Sequence, residues 1–184
     1  MLDFFRSRKL DKQLADHRPR LYRLAVSWCS DAMLADDLVQ ETLNKALLKQ
    51  HQLEDFSHMD AWLFRILHNC WMGYLRVHKP SIDIDDVSLV NDQEPEQHYT
   101  EDQIIQRVRY GIEMLPLIQR QVITLIDLEG CSYTQVAVIL DIPVGTVMSR
   151  LSRARGLLKR HLIGVHKIAA AHSHLSRSHL RSVK

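Results

Sequence analysis

The sequence has few of the residues that staple, punctuate or anchor a chain. Cys29, Cys70 and Cys131 are the only cysteines in 184 residues. An odd number, widely spaced and without a CxxC pair, speaks against a disulfide framework or a zinc knuckle. All three sit among apolar residues, so buried thiols are predicted. No apolar run approaches the ~18 residues of a membrane span, and no charged-then-apolar leader opens the chain. A soluble protein of a reducing cytoplasm, without stable membrane insertion, is expected. With six glycines there is no glycine-rich phosphate loop. Alternating strand patterns and internal repeats are also absent. No paired-carboxylate cleft signal, metal-ligand spacing or nucleophile motif is found, so neither an enzyme nor a cofactor or metal site is expected. One further absence is directional. No Asp or Glu follows Asp141, whereas Arg150, Arg153, Arg155, Lys159, Arg160, Lys167, Arg177, Arg181 and Lys184 do. A block of that sign fits phosphate neutralisation and binding that weakens with salt.

The basic block opens inside the most informative stretch, Cys131 to Leu162. It reads as two helices around a tight turn. Ser132 with Gln135 has capping-box spacing. Val136, Ala137, Ile139 and Leu140 give the first helix an apolar side. Asp141 falls where the turn asks for a left-handed residue, and Pro143 helps to open the second helix. There, Val147, Leu151, Ala154 and Leu158 form one buried stripe. Ser149, Ser152, Arg153 and Gly156 lie opposite, flanked by Met148, Arg150 and Arg155. This face is small, basic and hydrogen-bonding, as a helix in a DNA major groove must be. An ordinary helical hairpin with a solvated basic face has the same spacing, and both readings stand at this point.

Taken in order, the chain is helical throughout. A helix is expected from about Leu10, interrupted at Pro19. Leu21, Leu24, Ala25 and Trp28 then form a stripe closing near Ser30. Asp31 or a neighbour caps a second helix running to about Gln50, whose Asp37, Gln40, Glu41 and Asn44 share one side. That acid and amide face suits a protein partner bearing Arg or Lys, or merely solvent. His51 to Met59 should be a loop. Asp60 is expected to cap a third helix with a core stripe of Leu63, Ile66, Leu67 and Cys70. Trp62, Phe64, Trp71 and Tyr74 add aromatics on several sides, interleaved with Arg65, His68, Asn69, Arg76 and Lys79. Rings among cations suit single-stranded nucleic acid, although most of the rings can equally be core. Residues 80–99 carry six acids and no Lys or Arg, the composition of a linker at a domain boundary. Helical patterning resumes with Ile104, Ile105, Val108, Ile112 and Leu115 up to Pro116. It continues from Ile118 to Leu128, with Gly130 as the stop.

Four segments together resemble a family. DLVQETL at Asp37 to Leu43, AWLFRILHN at Ala61 to Asn69, LPLIQRQV at Leu115 to Val122 and the stretch from Gly130 to Arg155 are similar to the extracytoplasmic-function (ECF) sigma factors of bacteria. The resemblance implies an all-α chain of two small helical domains. A sigma region 2-like bundle would occupy residues 1–79 and an acidic linker 80–99. A region 4-like helix-turn-helix domain would follow at 100–163, and a flexible basic tail with His166, His172, His174 and His179 at 164–184.

It further implies that Asp37, Gln40, Glu41 and Asn44 dock on the clamp helices of the largest subunit of core RNA polymerase. The second domain would meet the polymerase flap. Trp62, Arg65, Asn69 and Arg76 would handle the melted minus-ten strand. Met148, Ser149, Arg150, Ser152 and Arg153 would read the minus-thirty-five element, with Arg120 and Thr146 on phosphates. An anti-sigma protein is the expected regulator. Departures from the family pattern are Gly73, where Asp or Asn is common, Asp141 in place of the usual Gly, and Met148 and Ser152 on the reading face. The competing class is a helix-turn-helix regulator that binds duplex DNA as a dimer without polymerase.

Overall fold

In the computed structural model, residues 2–53, 55–78 and 100–179 are described. The linker 80–99 and the last five residues lie outside them, as does Lys79. Seven α-helices make up the architecture among the described residues, with no strand. They are α1 (Leu2–Cys29), α2 (Ala32–Leu48), α3 (Met59–His78), α4 (Glu101–Glu113), α5 (Leu117–Ile123), α6 (Tyr133–Leu140) and α7 (Val144–His179).

Local chemistry sets most of the boundaries. α1 ends at Ser30, whose φ of 55° breaks the helix. Asp31 then accepts hydrogen bonds from the Met33 and Leu34 amides and starts α2. Thr100 with Gln103, and Ser132 with Gln135, form reciprocal capping boxes at α4 and α6. Each satisfies two amides that a helix start leaves open. Gly130 (φ 71°) and Asp141 (φ 54°) take the left-handed conformations that separate α6 from its neighbours.

Several expectations need correction. Pro19 does not interrupt α1, which runs through it. Ala15 and Pro19 both lie on the exposed side, where water reaches the carbonyl that the proline leaves without a donor. His51 to Met59 is not simple loop. Two single-turn 3₁₀ helices, Gln50–Gln52 and Phe56–His58, flank the buried Leu53. Asp60 does not cap α3. Asp55 accepts from the Ser57 amide one turn earlier, and Asp60 sits in the first turn of α3 with its carboxylate turned to α1. Ile104 and Ile105 are exposed, so only Ile112 and Leu115 of the α4 stripe reach the core. The helix after α5 opens into one π-turn, Thr124–Leu128. α7 continues past residue 163 to His179, so its helix reaches into the stretch set apart as a tail. No proline follows Pro143, and the added stretch contains Ala169, Ala170 and Ala171, all strong helix formers.

α1, α2 and α3 pack on one another, and α4, α5 and α6 pack around α7. The buried residues of both groups form one continuous cluster, from Leu10 through Phe64, Leu67 and Trp71 to Val122, Ile139 and Leu151. Cys70 and Cys131 are buried within it, and Cys29 is half-buried. The seam between the groups is built by α1 and α3 on one side and by α5, the π-turn and α6 on the other.

His68 lies in that seam. It stands edge-on to Trp28 with ring centroids 6.2 Å apart. Gln121 Nε2 can only donate, so His68 Nδ1 accepts at 3.2 Å and the ring is neutral. Burial pushes its pKa from 6.5 down to about 4, against the opposing charge of Asp141.

Two predictions come from this packing. Gly73 lies inside α3 with open space where a Cβ would be. Gly73→Ala should therefore stabilise the fold by about 0.5–1 kcal/mol, seen as a rise in Tm of about 2–4 °C. For His68, the folded pKa lies below the unfolded one, so between 6.5 and about 4 the unfolded chain holds more protons. Stability is then complete above 6.5 and declines as the pH falls toward 4. Melting curves across that window should show the decline in the wild type and a shallower one in His68→Gln. Identical slopes would mean that the buried imidazole does not contribute.

Candidate nucleic-acid and polymerase interfaces

The helix-turn-helix reading holds in three dimensions. α6 ends at Asp141, the Ile142 amide closes the turn on the Ala137 carbonyl at 3.0 Å, and Pro143 accepts from Thr146 and Val147 to start α7. Val147, Leu151 and Ala154 are buried and Leu158 is half-buried. Met148, Ser149, Ser152 and Arg153 are exposed on the other side, with Thr146 and Arg150 half-buried at its margin. Ser149 donates to the Thr146 carbonyl at 3.0 Å, leaving its oxygen lone pairs outward. Arg155, a flanking cation in the sequence, is held by Asp127 through two bonds of 2.5 and 3.1 Å. Arg150 and Arg153 have no such partner among the described residues.

On α3, Trp62, Arg65, Asn69 and Arg76 recur at i, i+3, i+7 and i+14, which keeps them within one stripe about 60° wide. Arg65, Asn69 and Arg76 are exposed, and Trp62 is half-buried. Phe64 and Trp71 are core, which settles the two readings for those rings. Tyr74 stacks between Trp71 and His78 at centroid distances of 5.7 and 4.1 Å. Gly73 lies just beside this stripe, with open space where a Cβ would be.

On α2, Asp37, Gln40, Glu41 and Asn44 are all exposed, and among the described residues the only ion pair they make is Glu41 with Lys45 at 2.6 Å. Met33 and Leu48, 77% and 78% exposed, stand at the two ends of the same face. An exposed strip of acids and amides bracketed by apolar side chains has the composition of a protein-binding surface.

Arg120 stands apart from the reading face. Its guanidinium donates to the Trp28 carbonyl at 3.3 Å, to Ser30 Oγ at 3.2 Å, to the Leu115 carbonyl at 3.1 Å and to the Glu113 carbonyl. Burial pushes its pKa down. In this arrangement it closes the C-terminal ends of α1 and α4.

Sequence reasoning missed a chain of charges across the seam. Arg20 of α1 donates to Asp60 at 2.8 Å and to Glu129 at 2.9 Å, and His17 reaches the other Asp60 oxygen at 2.7 Å. Burial disfavours the Asp60 carboxylate, but the bonds from Arg20 and His17 outweigh it and hold its pKa low. Trp28 Nε1 donates to Thr124 Oγ1 at 2.9 Å. The one available signal was Thr124, a polar residue inside the apolar run VITLI. Nothing local links residues 40 to 109 positions apart.

The sigma-70 region 2 family model matches residues 14–80 and the sigma-70 region 4 model matches residues 105–158. The chain belongs to the sigma-70 family, among the ECF sigma factors. A similar relative is the ECF RNA polymerase sigma factor EcfG of Rhodopseudomonas palustris, 34% identical over 140 residues, covering 76% of this chain and 77% of that protein. Among solved structures, the sigma factor RpoE of Bartonella quintana, crystallised with the anti-sigma factor NepR, superposes with a TM-score of 0.67 at 34% identity. That match spans 84% of this sigma factor and 96% of RpoE. CnrH, in complex with the cytosolic domain of CnrY, matches with a TM-score of 0.59 at 27% identity, over 85% and 89% of the two chains. No helix among the described residues of this sigma factor is long and apolar enough to cross a membrane.

The exposed, unpaired guanidinium on α7 gives a sharp expectation. Arg153→Ala should weaken binding to the cognate minus-thirty-five duplex by about 1–3 kcal/mol and relax preference at one base pair. Competition among single-base variants of the site measures this. An equal loss on every duplex would reassign Arg153 to a phosphate.

Proposed function

We propose that this sigma factor binds core RNA polymerase and directs it to a particular set of promoters, under the control of an anti-sigma protein. The observation that carries the reading is the pairing, on one chain and in this order, of a region 2 match with a region 4 match. Each match bears an exposed face of the required chemistry. On this reading Asp37, Gln40, Glu41 and Asn44 meet Arg and Lys side chains on the polymerase clamp. Trp62, Arg65, Asn69 and Arg76 take the unstacked strand at the minus-ten element, the ring by stacking and the cations by phosphate contact. Met148, Ser149, Arg150, Ser152 and Arg153 enter the major groove at the minus-thirty-five element, with Thr146 and Arg120 on phosphates.

No bond is made or broken by the sigma factor itself. Its free energy of binding is spent on strand separation, and the polymerase supplies the catalysis. A domain at residues 1–79, a linker at 80–99 and a reading domain from residue 100 follow from this division of labour. The complex of RpoE with NepR supports an anti-sigma partner of the same kind here.

The decisive experiment is in vitro transcription with purified core polymerase on a library of genomic fragments, with transcript starts mapped. The sigma factor should create a defined set of starts that core enzyme alone does not produce. A second test targets α2. Gln40→Ala combined with Glu41→Ala should reduce association with core polymerase by on the order of tenfold or more. The fold should be spared, because the exposed Glu41–Lys45 pair contributes at most about 1 kcal/mol. Unchanged co-purification with core enzyme would remove α2 from the interface.

A further inference from the structure

We propose that the first turns of α7 read one A·T base pair, Met148 packing on the thymine methyl and Ser149 accepting a hydrogen bond from the adenine amino group. The inference rests on the major-groove reading of α7 above and adds the base that this end of the helix selects.

The outward side of α7 has an unusual relief. Gly145, Ser149, Ser152 and Gly156 follow one another at i, i+4, i+7 and i+11, opposite the buried Val147 stripe. Gly145 and Gly156 have open space where a Cβ would be. No side chain in this row is longer than a hydroxymethyl group, so the helix backbone can come close to base edges. Met148 and Arg153 flank the row on opposite sides and reach further than its members. Arg153 is a cation with five donors. Met148 is its chemical opposite, an apolar thioether 53% exposed on a face that is otherwise polar.

That contrast narrows what each residue can recognise. Among the base edges of the major groove, the thymine C5-methyl is the apolar group. A thioether has no donor and is a weak acceptor. Guanine O6 and N7, or the cytosine amino group, would lose water beneath it without gaining a partner. Met148 therefore favours thymine by contact and disfavours a G·C pair by desolvation.

Ser149 adds a direction. Its hydroxyl proton is committed to the Thr146 carbonyl at 3.0 Å, so toward the groove its oxygen can only accept. The donors there are adenine N6 and cytosine N4. Met148 and Ser149 are separated by about 1.5 Å along the helix axis, less than half of the roughly 3.4 Å between stacked pairs. Both thus address one pair, and an A·T pair is the one that offers a methyl group and an amino donor together. Arg153 lies about 7.5 Å further along α7, which places any base it reads within about two pairs of that thymine.

The test uses the full-length sigma factor assembled with core polymerase. Selection from a random-sequence duplex library defines the preferred element. In the part bound as duplex, each thymine is then replaced singly by deoxyuridine, which lacks only the methyl, and each adenine by purine deoxyriboside, which lacks only the amino group. One thymine should be methyl-sensitive, with affinity falling about fourfold, the worth of one methyl group withdrawn from water. Met148→Ala should bind both forms alike, Met148→Leu should keep the discrimination, and Met148→Lys should move the preference at that pair to guanine. Loss of the amino group from the paired adenine should cost the wild type about fivefold more than it costs Ser149→Ala. Both side chains are exposed, so the variants should melt as the wild type does. A defined element without a methyl-sensitive thymine, or with a sensitivity that persists in Met148→Ala, overturns the role of Met148. An adenine effect of equal size in Ser149→Ala overturns that of Ser149. The absence of any sequence preference overturns the promoter reading and this inference with it, whereas the other two outcomes sink the inference alone.

Discussion

The structure depends on an indole that neither half can bury alone. Trp28 closes α1; His68 of α3 stands edge-on to it from the first half, and Thr124 at the start of the π-turn takes its N–H from the second. A ring of that size buries on the order of 200 Å², and at about 25 cal/mol per Å² that is about 5 kcal/mol of transfer free energy. The polar groups around it are arranged so that this burial leaves little unmet. Thr124, Gln121, Arg20 and Glu129 are each bonded across or along the seam. The two short helices α5 and α6 have too little surface for cores of their own, which is why the buried residues run as one cluster through both halves.

What could be read beforehand follows the range of the interaction. Caps and turns are set by residues two or three apart, and Asp31, Ser132 with Gln135, Asp141 and Pro143 were all legible. So was the buried stripe of α7, because a helix period of 3.6 is a local property. The exposed faces of α2 and α7 were legible for the same reason. Pro19 and Asp60 were misread because a local rule was applied where a distant partner decides. Pro19 is carried by the buried stripe on the far side of α1. Asp60 is drawn away from the cap position by Arg20 and His17. Ile104 and Ile105 show the converse failure: helical periodicity identifies a face but not whether anything covers it. The seam was invisible, because its bonded partners are separated by 53 to 109 positions and no local pattern joins them.

The two surfaces differ in how they handle charge. The reading face of α7 leaves Arg150 and Arg153 without carboxylate partners among the described residues, while Arg155 just behind it is neutralised by Asp127. A cation already paired must give up that pair to bind a phosphate, which the uncommitted arginines need not do. The acid and amide strip of α2 is the opposite sign on a separate helix. The molecule therefore carries an acidic face on α2 and a basic face on α7, and Arg20 with Glu129 is the place where opposite charges from the two halves meet.

The seam is joined by polar groups as well as by apolar packing. A purely apolar junction of that extent would leave a large sticky patch on each half when opened. Here the groups that meet across the seam include the guanidinium groups of Arg20 and Arg120, the Glu129 carboxylate, the His68 imidazole, the Gln121 amide and the Thr124 hydroxyl, all of which water can satisfy. Each such bond is worth on the order of 1 kcal/mol net when formed, because folding only exchanges it for a bond to solvent. A handful of them, with one buried ring, holds the two halves together by a few kcal/mol. Holding the seam with directional polar bonds thus fixes one arrangement of the two halves, because each bond is satisfied in that geometry alone.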